Sequence, residues 1–231
     1  MTSKPAVVIA VDGPAASGKG TLARRLAAHY GLRHLDTGLL YRAVGLLAAA
    51  EGQDPVKVAE NLKFSDLDSP YLRGDAAAQA GSRVAAIPAV RAVLRDVQHR
   101  FAASPPGAVL DGRDIGTVVF PEAPVKLYID APVAGRARRR HKELIGRGLK
   151  SIYSRVLQEM KERDARDRGR KVAPLAAAKD ALVIDSSKLD ADAVFSRAVA
   201  YIDRILPNLG PGSSRGVIDP RPPDTTGRPE M

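Results

Sequence analysis

The sequence predicts a parallel α/β fold, a five-stranded sheet flanked by helices. Three observations predict it. Short predicted strands at 6–11, 33–35, 108–110, 125–129 and 182–184 each lead into an aspartate: Asp12, Asp36, Asp111, Asp130 and Asp185. Segments with helical spacing separate these strands, the strand-then-helix alternation of a parallel sheet. A glycine-rich stretch from Gly13 to Thr21 joins the first strand to the first helix.

The 6–11 run is continuously apolar, as expected of a strand buried on both faces. The stretch after it reads Gly13, Pro14, Ala15, Ala16, Ser17, Gly18, Lys19, Gly20, Thr21. Glycines at 13 and 18 allow a tight turn with N–H groups pointing inward, and the following helix adds the positive end of its dipole. Lys19 supplies a mobile charge suited to following a phosphoryl group between two oxygens. The spacing fits the P-loop pattern, except that Gly20 stands where Ser or Thr is expected and the hydroxyl arrives at Thr21. A glycine turn that binds nothing is the bland alternative; a strand before and a helix after favour a nucleotide phosphate site.

The first helix places Leu22, Ala23, Leu26, Ala27 and Tyr30 on one stripe and closes at Gly31. His34, with no other histidine near it in sequence, reads as an ordinary strand residue. A second, apolar helix spans 39–50. Arg42 interrupts it, and either snorkels from the helix edge or reaches the phosphate of a second substrate. From 52 to 82 the pattern weakens to a short helix at 55–62 and an irregular stretch at 63–73, a small insertion without its own core. Helices at 75–87 and 88–103 follow, the second with Val90, Val93, Leu94, Val97 and Phe101 on one stripe and Arg91 and Arg95 off it.

Between the last two strands lies a basic region, 136–171. Arg138, Arg139, Arg140 and Lys142 share one helix; Arg163, Arg166, Asp167 and Arg170 fall near the end of another. If that helix persists, Arg163, Asp167 and Arg170 share a face. The arginine density predicts a mobile lid over phosphates rather than a solvated, salt-bridged face. A last helix covers 191–206, and 207–231, rich in Pro and Gly without periodicity, reads as disordered.

At 231 residues the chain supports one domain with insertions. It has no cysteine, which excludes disulfides and thiolate metal sites. No apolar run approaches the roughly 18–20 residues that span a bilayer, so a cytoplasmic protein is expected. The formal charge of +10 fits nucleic acid or an anionic small substrate, while 4% aromatic residues argue against stacking platforms for single strands. The strand-end aspartates concentrate negative charge beside the loop, where Mg²⁺ and its waters must be held, with Asp130 and Asp185 expected only to cap helices.

Lysine, arginines and Mg²⁺ around a P-loop describe phosphoryl transfer. No protein-kinase catalytic loop is visible. An anionic acceptor explains that absence: a nucleoside monophosphate has a second pKa of roughly 6, so its oxygen is ionised at neutral pH and needs no strong base. Arginines relieve the repulsion between the two substrates, and a closing lid excludes water.

Over about 7–206 the chain resembles bacterial cytidylate kinases. The resemblance rests on the Gly-Lys-Gly-Thr loop, Leu35-Asp36-Thr37-Gly38 with Tyr41-Arg42, Ser82 with Val84-Ala85-Ala86 and Val90-Arg91, and Asp111-Gly112-Arg113-Asp114 with Gly116-Thr117-Val118-Val119-Phe120-Pro121. It continues in Arg163-Asp164, Arg166-Asp167-Arg168 and Val172-Ala173-Pro174-Leu175. It implies that Ser82, Arg91 and Asp114 read cytosine, that Thr37, Arg42 and Arg113 hold the monophosphate, and that Arg163, Asp167 and Arg170 approach from the lid. Lys19, Arg113 and Arg163 are then the catalytic cations.

Thr37 stands where Ser is usual, and the insertion between Leu62 and Arg73 is shorter than in the longer members. The implied organisation is a P-loop NTPase-type kinase domain over 1–206. It has a core of 1–51, 83–135 and 171–206, a monophosphate-binding insertion at about 52–82 and a lid at about 136–170. The implied activity is transfer of the γ-phosphoryl of ATP to CMP or dCMP with Mg²⁺, whose ligands are unassigned. The expected protein is a monomer with nucleotide substrates and neither nucleic acid nor membrane as partner. A UMP or AMP acceptor, or an RNA-binding P-loop ATPase, are the rival readings.

Overall fold

The computed structural model describes residues 6–212. Its five strands are β1 (Val7–Asp12), β2 (Arg33–Asp36), β3 (Gly107–Gly112), β4 (Val125–Asp130) and β5 (Leu182–Asp185). They form one sheet in the order β2-β3-β1-β4-β5, every pairing parallel. β1 is central and divides its side chains between two cores. Ala10 joins Ala108 and Leu110 on one face; Ile9 and Val11 join Val109 and Leu127 on the other. This two-sided burial is why the β1 run is apolar throughout rather than alternating.

Helix α1 (Lys19–Tyr30) follows the phosphate loop, and its predicted stripe from Leu22 to Tyr30 is buried beneath α8 (Ala191–Ile205). On the opposite face lie α2 (Thr37–Glu51), α3 (Pro55–Glu60) and α5 (Pro88–Ala103). α2 starts at Thr37, two residues earlier than its apolar spacing suggests, directly off the end of β2. The stretch at 63–73, irregular by its sequence, is two 3₁₀ turns, Phe64–Asp68 and Pro70–Arg73. α4 (Asp75–Val84) stops before the predicted 87 because Ile87 precedes Pro88 and takes an extended conformation.

Two glycines set how α2 crosses α4. A Cβ on Gly45 would stand 2.7 Å from the Ala80 carbonyl carbon, and one on Gly81 would stand 3.0 Å from the Arg42 backbone nitrogen. The close crossing brings Ser82 on α4 to the same wall as Arg42 on α2.

α6 (Val133–Gly146) and α7 (Tyr153–Arg168) pack on each other through a small separate cluster, Ala137, Leu144, Val156 and Met160. Asp130 and Asp185 are not helix caps: Asp130 accepts from the Ala131 N–H and Asp185 from Ser187, while Asp190 caps α8. The chain beyond α8 folds back, with Leu209 against the α1/α8 core and the Gly212 N–H donating to the His29 carbonyl at 2.8 Å. This corrects the expectation of disorder at 207–212; residues 213–231 lie outside the described residues. No helix among the described residues is long and apolar enough to cross a membrane.

Candidate active site

The phosphate loop leaves β1 at Gly13, where φ is 147° and any Cβ would stand 2.2 Å from the Ile129 carbonyl oxygen. Only glycine fits there. Gly18, with φ 96°, caps the start of α1 and turns the chain into the helix. Lys19 folds back over the loop, its Nζ 3.4 Å from the Pro14 carbonyl. Burial, then the nearby Arg113 charge, pull the Lys19 pKa down to about 7. Gly13 and Ser17 are buried behind the loop, whereas Ala16, Gly18, Lys19, Gly20 and Thr21 line a cleft of about 770 Å³.

All nine residues expected on the acceptor side line that same cleft: Thr37, Arg42, Ser82, Arg91, Arg113, Asp114, Arg163, Asp167 and Arg170. Arg42 is half-buried, 3.5 Å from Asp36 and 3.3 Å from the Leu72 carbonyl, so it belongs to the cleft wall rather than to solvent. The Thr37 hydroxyl donates to the Asp111 carbonyl at 2.9 Å. Arg91 forms a buried ion pair with Asp114 and sits 5.7 Å over the Tyr41 ring. Burial raises the Asp114 pKa, with Arg91 as the main opposing influence.

Asp167 organises the α7 wall of the cleft. It accepts from Ser82 Oγ at 3.0 Å and Arg113 Nε at 3.1 Å, pairs with Arg170, and lies 3.9 Å from Arg163. Burial pushes its pKa up, but Arg113, Arg170 and Arg163 outweigh that and hold it below the ordinary carboxylate value. Arg163 is itself drawn down to about 9 by burial and Arg113. α7 ends at Arg168, so Arg170 reaches this face from the turn after Gly169 rather than from a continued helix. Arg166 points elsewhere, to Gln79 at 3.0 Å.

This geometry places the phosphate loop and a surplus of guanidinium groups along one cleft. A family model described as Cytidylate kinase matches residues 9–204. A cytidylate kinase from Paramagnetospirillum magneticum is 59% identical over 204 residues, spanning 84% of this chain and 97% of that protein. The chain belongs to the cytidylate kinase family. A second member, from Xanthobacter autotrophicus, is 55% identical over 85% of this chain and 97% of its own length. The crystal structure of an uncharacterized protein from Eubacterium ventriosum is similar in fold alone, with 18% identity and a TM-score of 0.53 over 85% of this chain and 98% of that one.

Several contacts at and beneath the cleft of this cytidylate kinase family member have no signal in the sequence. His34, by its sequence an ordinary strand residue, stands 2.7 Å from Asp111 Oδ1. Burial raises the Asp111 pKa, but the His34 hydrogen bond and the Lys19 charge outweigh it and hold the carboxylate ionised. The pairing of β2 with β3 makes this contact, and nothing local to residue 34 signals it. Asp12, 4% exposed, spends both carboxylate oxygens on the Ile115 and Gly116 N–H groups at 2.8 and 2.7 Å. It thereby starts a π-helix, Ile115–Val119, and ties the corner carrying Arg113 and Asp114 to the residue before the phosphate loop. Burial, opposed by those two N–H groups, raises its pKa to about 7.

The expected pool of five strand-end aspartates is therefore divided. Asp12 is committed to backbone and Asp130 to its neighbour, and among the described residues no group of three or more His, Asp or Glu is placed to cage a metal ion. Asp111 remains. Its Oδ2 faces the loop, where Gly20 leaves room: a Cβ there would come to 3.5 Å. One ionised carboxylate beside a phosphate site fits Mg²⁺, which usually takes one or two carboxylates, substrate phosphates and water.

Proposed function

We propose that this chain transfers the γ-phosphoryl group of ATP to CMP or dCMP, giving ADP and CDP or dCDP. The observation that carries the reading is one cleft lined both by the phosphate-loop lysine and by Ser82, Arg91 and Asp114. The family membership supports cytosine as the base. In this reading the loop N–H groups hold the donor phosphates. Thr37, Arg42 and Arg113 hold the acceptor phosphate, and Ser82, Arg91 and Asp114 read the base, whose exocyclic amine donates to a carboxylate. Arg163, Asp167 and Arg170 close over the sugar, base and phosphates.

The chemistry follows from charge. The acceptor oxygen is already ionised, so no general base is required. Lys19 follows the phosphoryl group while Arg113 and Arg163 neutralise charge spreading over its oxygens. Without nucleotide these cations repel one another, which adds to burial in drawing Lys19 and Arg163 below their ordinary pKa values. Asp111 would hold Mg²⁺ against the donor phosphates, and the ion when bound supplies further neutralisation there.

In the same reading the core comprises 1–51, 83–135 and 171–206, with the insertion at about 52–82 binding the monophosphate and 136–170 forming a lid that excludes water. The protein acts as a cytoplasmic monomer on small nucleotides. ADP release measured with CMP, dCMP, UMP and AMP as acceptors tests it. Rates with CMP or dCMP exceeding those with UMP and AMP by about tenfold or more are expected; comparable rates with all four would overturn the base assignment. RNA-stimulated hydrolysis without CMP-dependent ADP release would overturn the kinase assignment.

A further inference from the structure

Ala16 holds φ at 56°, a left-handed conformation that a residue carrying a Cβ adopts only where its surroundings enforce it. The carbonyls on either side of it are both gripped from α6. Arg136, 1% exposed, donates Nη1 to the Ala15 carbonyl at 3.0 Å and Nε to the Ala131 carbonyl at 2.7 Å, and its far side is neutralised by Asp164. Nearly one helical turn later, Arg139 donates to the Ser17 carbonyl at 3.3 Å and to the Ser186 hydroxyl at 3.0 Å, with its other nitrogen on the Ser186 carbonyl. The Ser186 hydroxyl also lies 3.0 Å from the Ser17 oxygen.

A trans peptide points its N–H opposite its C=O. Two carbonyls drawn toward α6 therefore turn the N–H groups of Ala16 and Gly18, which share those peptide units, away from α6. We propose that Arg139, with Arg136 beside it, is a positioning residue: it holds the strained turn at Ala16 and so keeps the loop N–H groups aimed at the donor phosphates. The basic helix then acts on the loop through neutral carbonyls, in addition to the charge that Arg139 presents to the cleft it lines. This inference rests on the P-loop reading of 13–21.

Calorimetric titration of ATP without acceptor tests it on four proteins: wild type, Ala16→Gly, Arg139→Gln and the double variant. Arg139 is half-exposed and, among the described residues, forms no ion pair, so its removal strands no buried carboxylate. With Ala16 in place, Arg139→Gln is expected to weaken ATP about tenfold, the scale of one strained residue. In the Ala16→Gly background, where glycine takes positive φ without steric cost, the loss falls below about threefold.

Equal losses in both backgrounds would show Arg139 acting on the nucleotide directly and would overturn the proposal, as would no loss with Ala16. Arg139→Lys, which keeps the charge but not the fork, gives a second check should the glutamine variant melt early. It should also weaken ATP about tenfold, and wild-type affinity in the lysine variant would overturn the proposal. Failure of the wild type itself to bind ATP would overturn the underlying P-loop reading, and the proposal with it.

Discussion

Replacing Arg91 with methionine separates base recognition from phosphate binding. The Arg91 and Asp114 side chains are only 8% and 7% exposed. Removing one partner of a buried pair costs about 3–5 kcal/mol when the other stays charged. Asp114 already has a raised pKa, so in the variant it takes up a proton and escapes part of that cost. A net loss of about 2–3 kcal/mol, or about 5–10 °C in melting temperature for a chain of this size, is the expectation. The sign with pH follows. Loss of Arg91 raises the folded pKa of Asp114 further, and a raised pKa gives stability that is present at low pH and lost as pH rises through the folded value. The deficit against wild type should therefore be small at acidic pH and grow as pH rises toward neutrality and above.

In the acceptor assay, losing the guanidinium should lower kcat/KM for CMP by about 100-fold, roughly 2.7 kcal/mol of transition-state binding. ATP affinity should stay within about twofold, because in the proposed reading Arg91 serves the acceptor rather than the donor. Equal losses for CMP, UMP and AMP, a parallel fall in ATP affinity, or a melting deficit that shrinks as pH rises over that range would each refute this reasoning.

Other outcomes follow from the same geometry. ATP binding should take up a proton, since phosphates raise the depressed Lys19 pKa; about 0.7 proton is expected at about pH 7.5. Calorimetry in buffers of different ionisation enthalpy reads this, and Lys19→Met should abolish it. Asp167→Asn should destabilise the nucleotide-free protein by about 3 kcal/mol, because three guanidinium groups lose their counter-charge. Since the Asp167 pKa is lowered on folding, the melting gap between wild type and this variant should be full above about pH 4 and close as pH falls below it. Gly45→Ala should cost about 1–3 kcal/mol by forcing α2 off α4, with KM for CMP rising more than the Kd for ATP, read by melting and steady-state kinetics.

What the sequence makes legible is whatever local chemistry determines. Five short strands, the glycine turn at 13–18 and the helical stripe at 22–30 each depend on neighbours in the chain, and each stands where its spacing puts it. The strand order is not local, and the contacts that depend on it stay hidden. His34 meets Asp111 only because β2 lies beside β3, and Asp12 meets the 115–116 amides only because β1 lies on the other side. Arg91, one of two arginines off a helical stripe, reads like Arg95; tertiary packing buries one against Asp114 and leaves the other exposed. The base-reading roles of Ser82, Arg91 and Asp114 are legible only through resemblance to a family, since charge patterning alone indicates an anion site without specifying cytosine. Arg136 and Arg139 read as lid charges facing phosphates, yet they hold loop carbonyls.

Passage of a phosphoryl group between two nucleotides in one cleft is the central claim. Its most direct measurement follows ATP labelled in the γ-phosphate through a reaction with CMP. The label should appear in the β-phosphate of CDP, at a rate that depends on CMP and collapses in Lys19→Met. Label recovered as inorganic phosphate, at a rate indifferent to CMP, would contradict it.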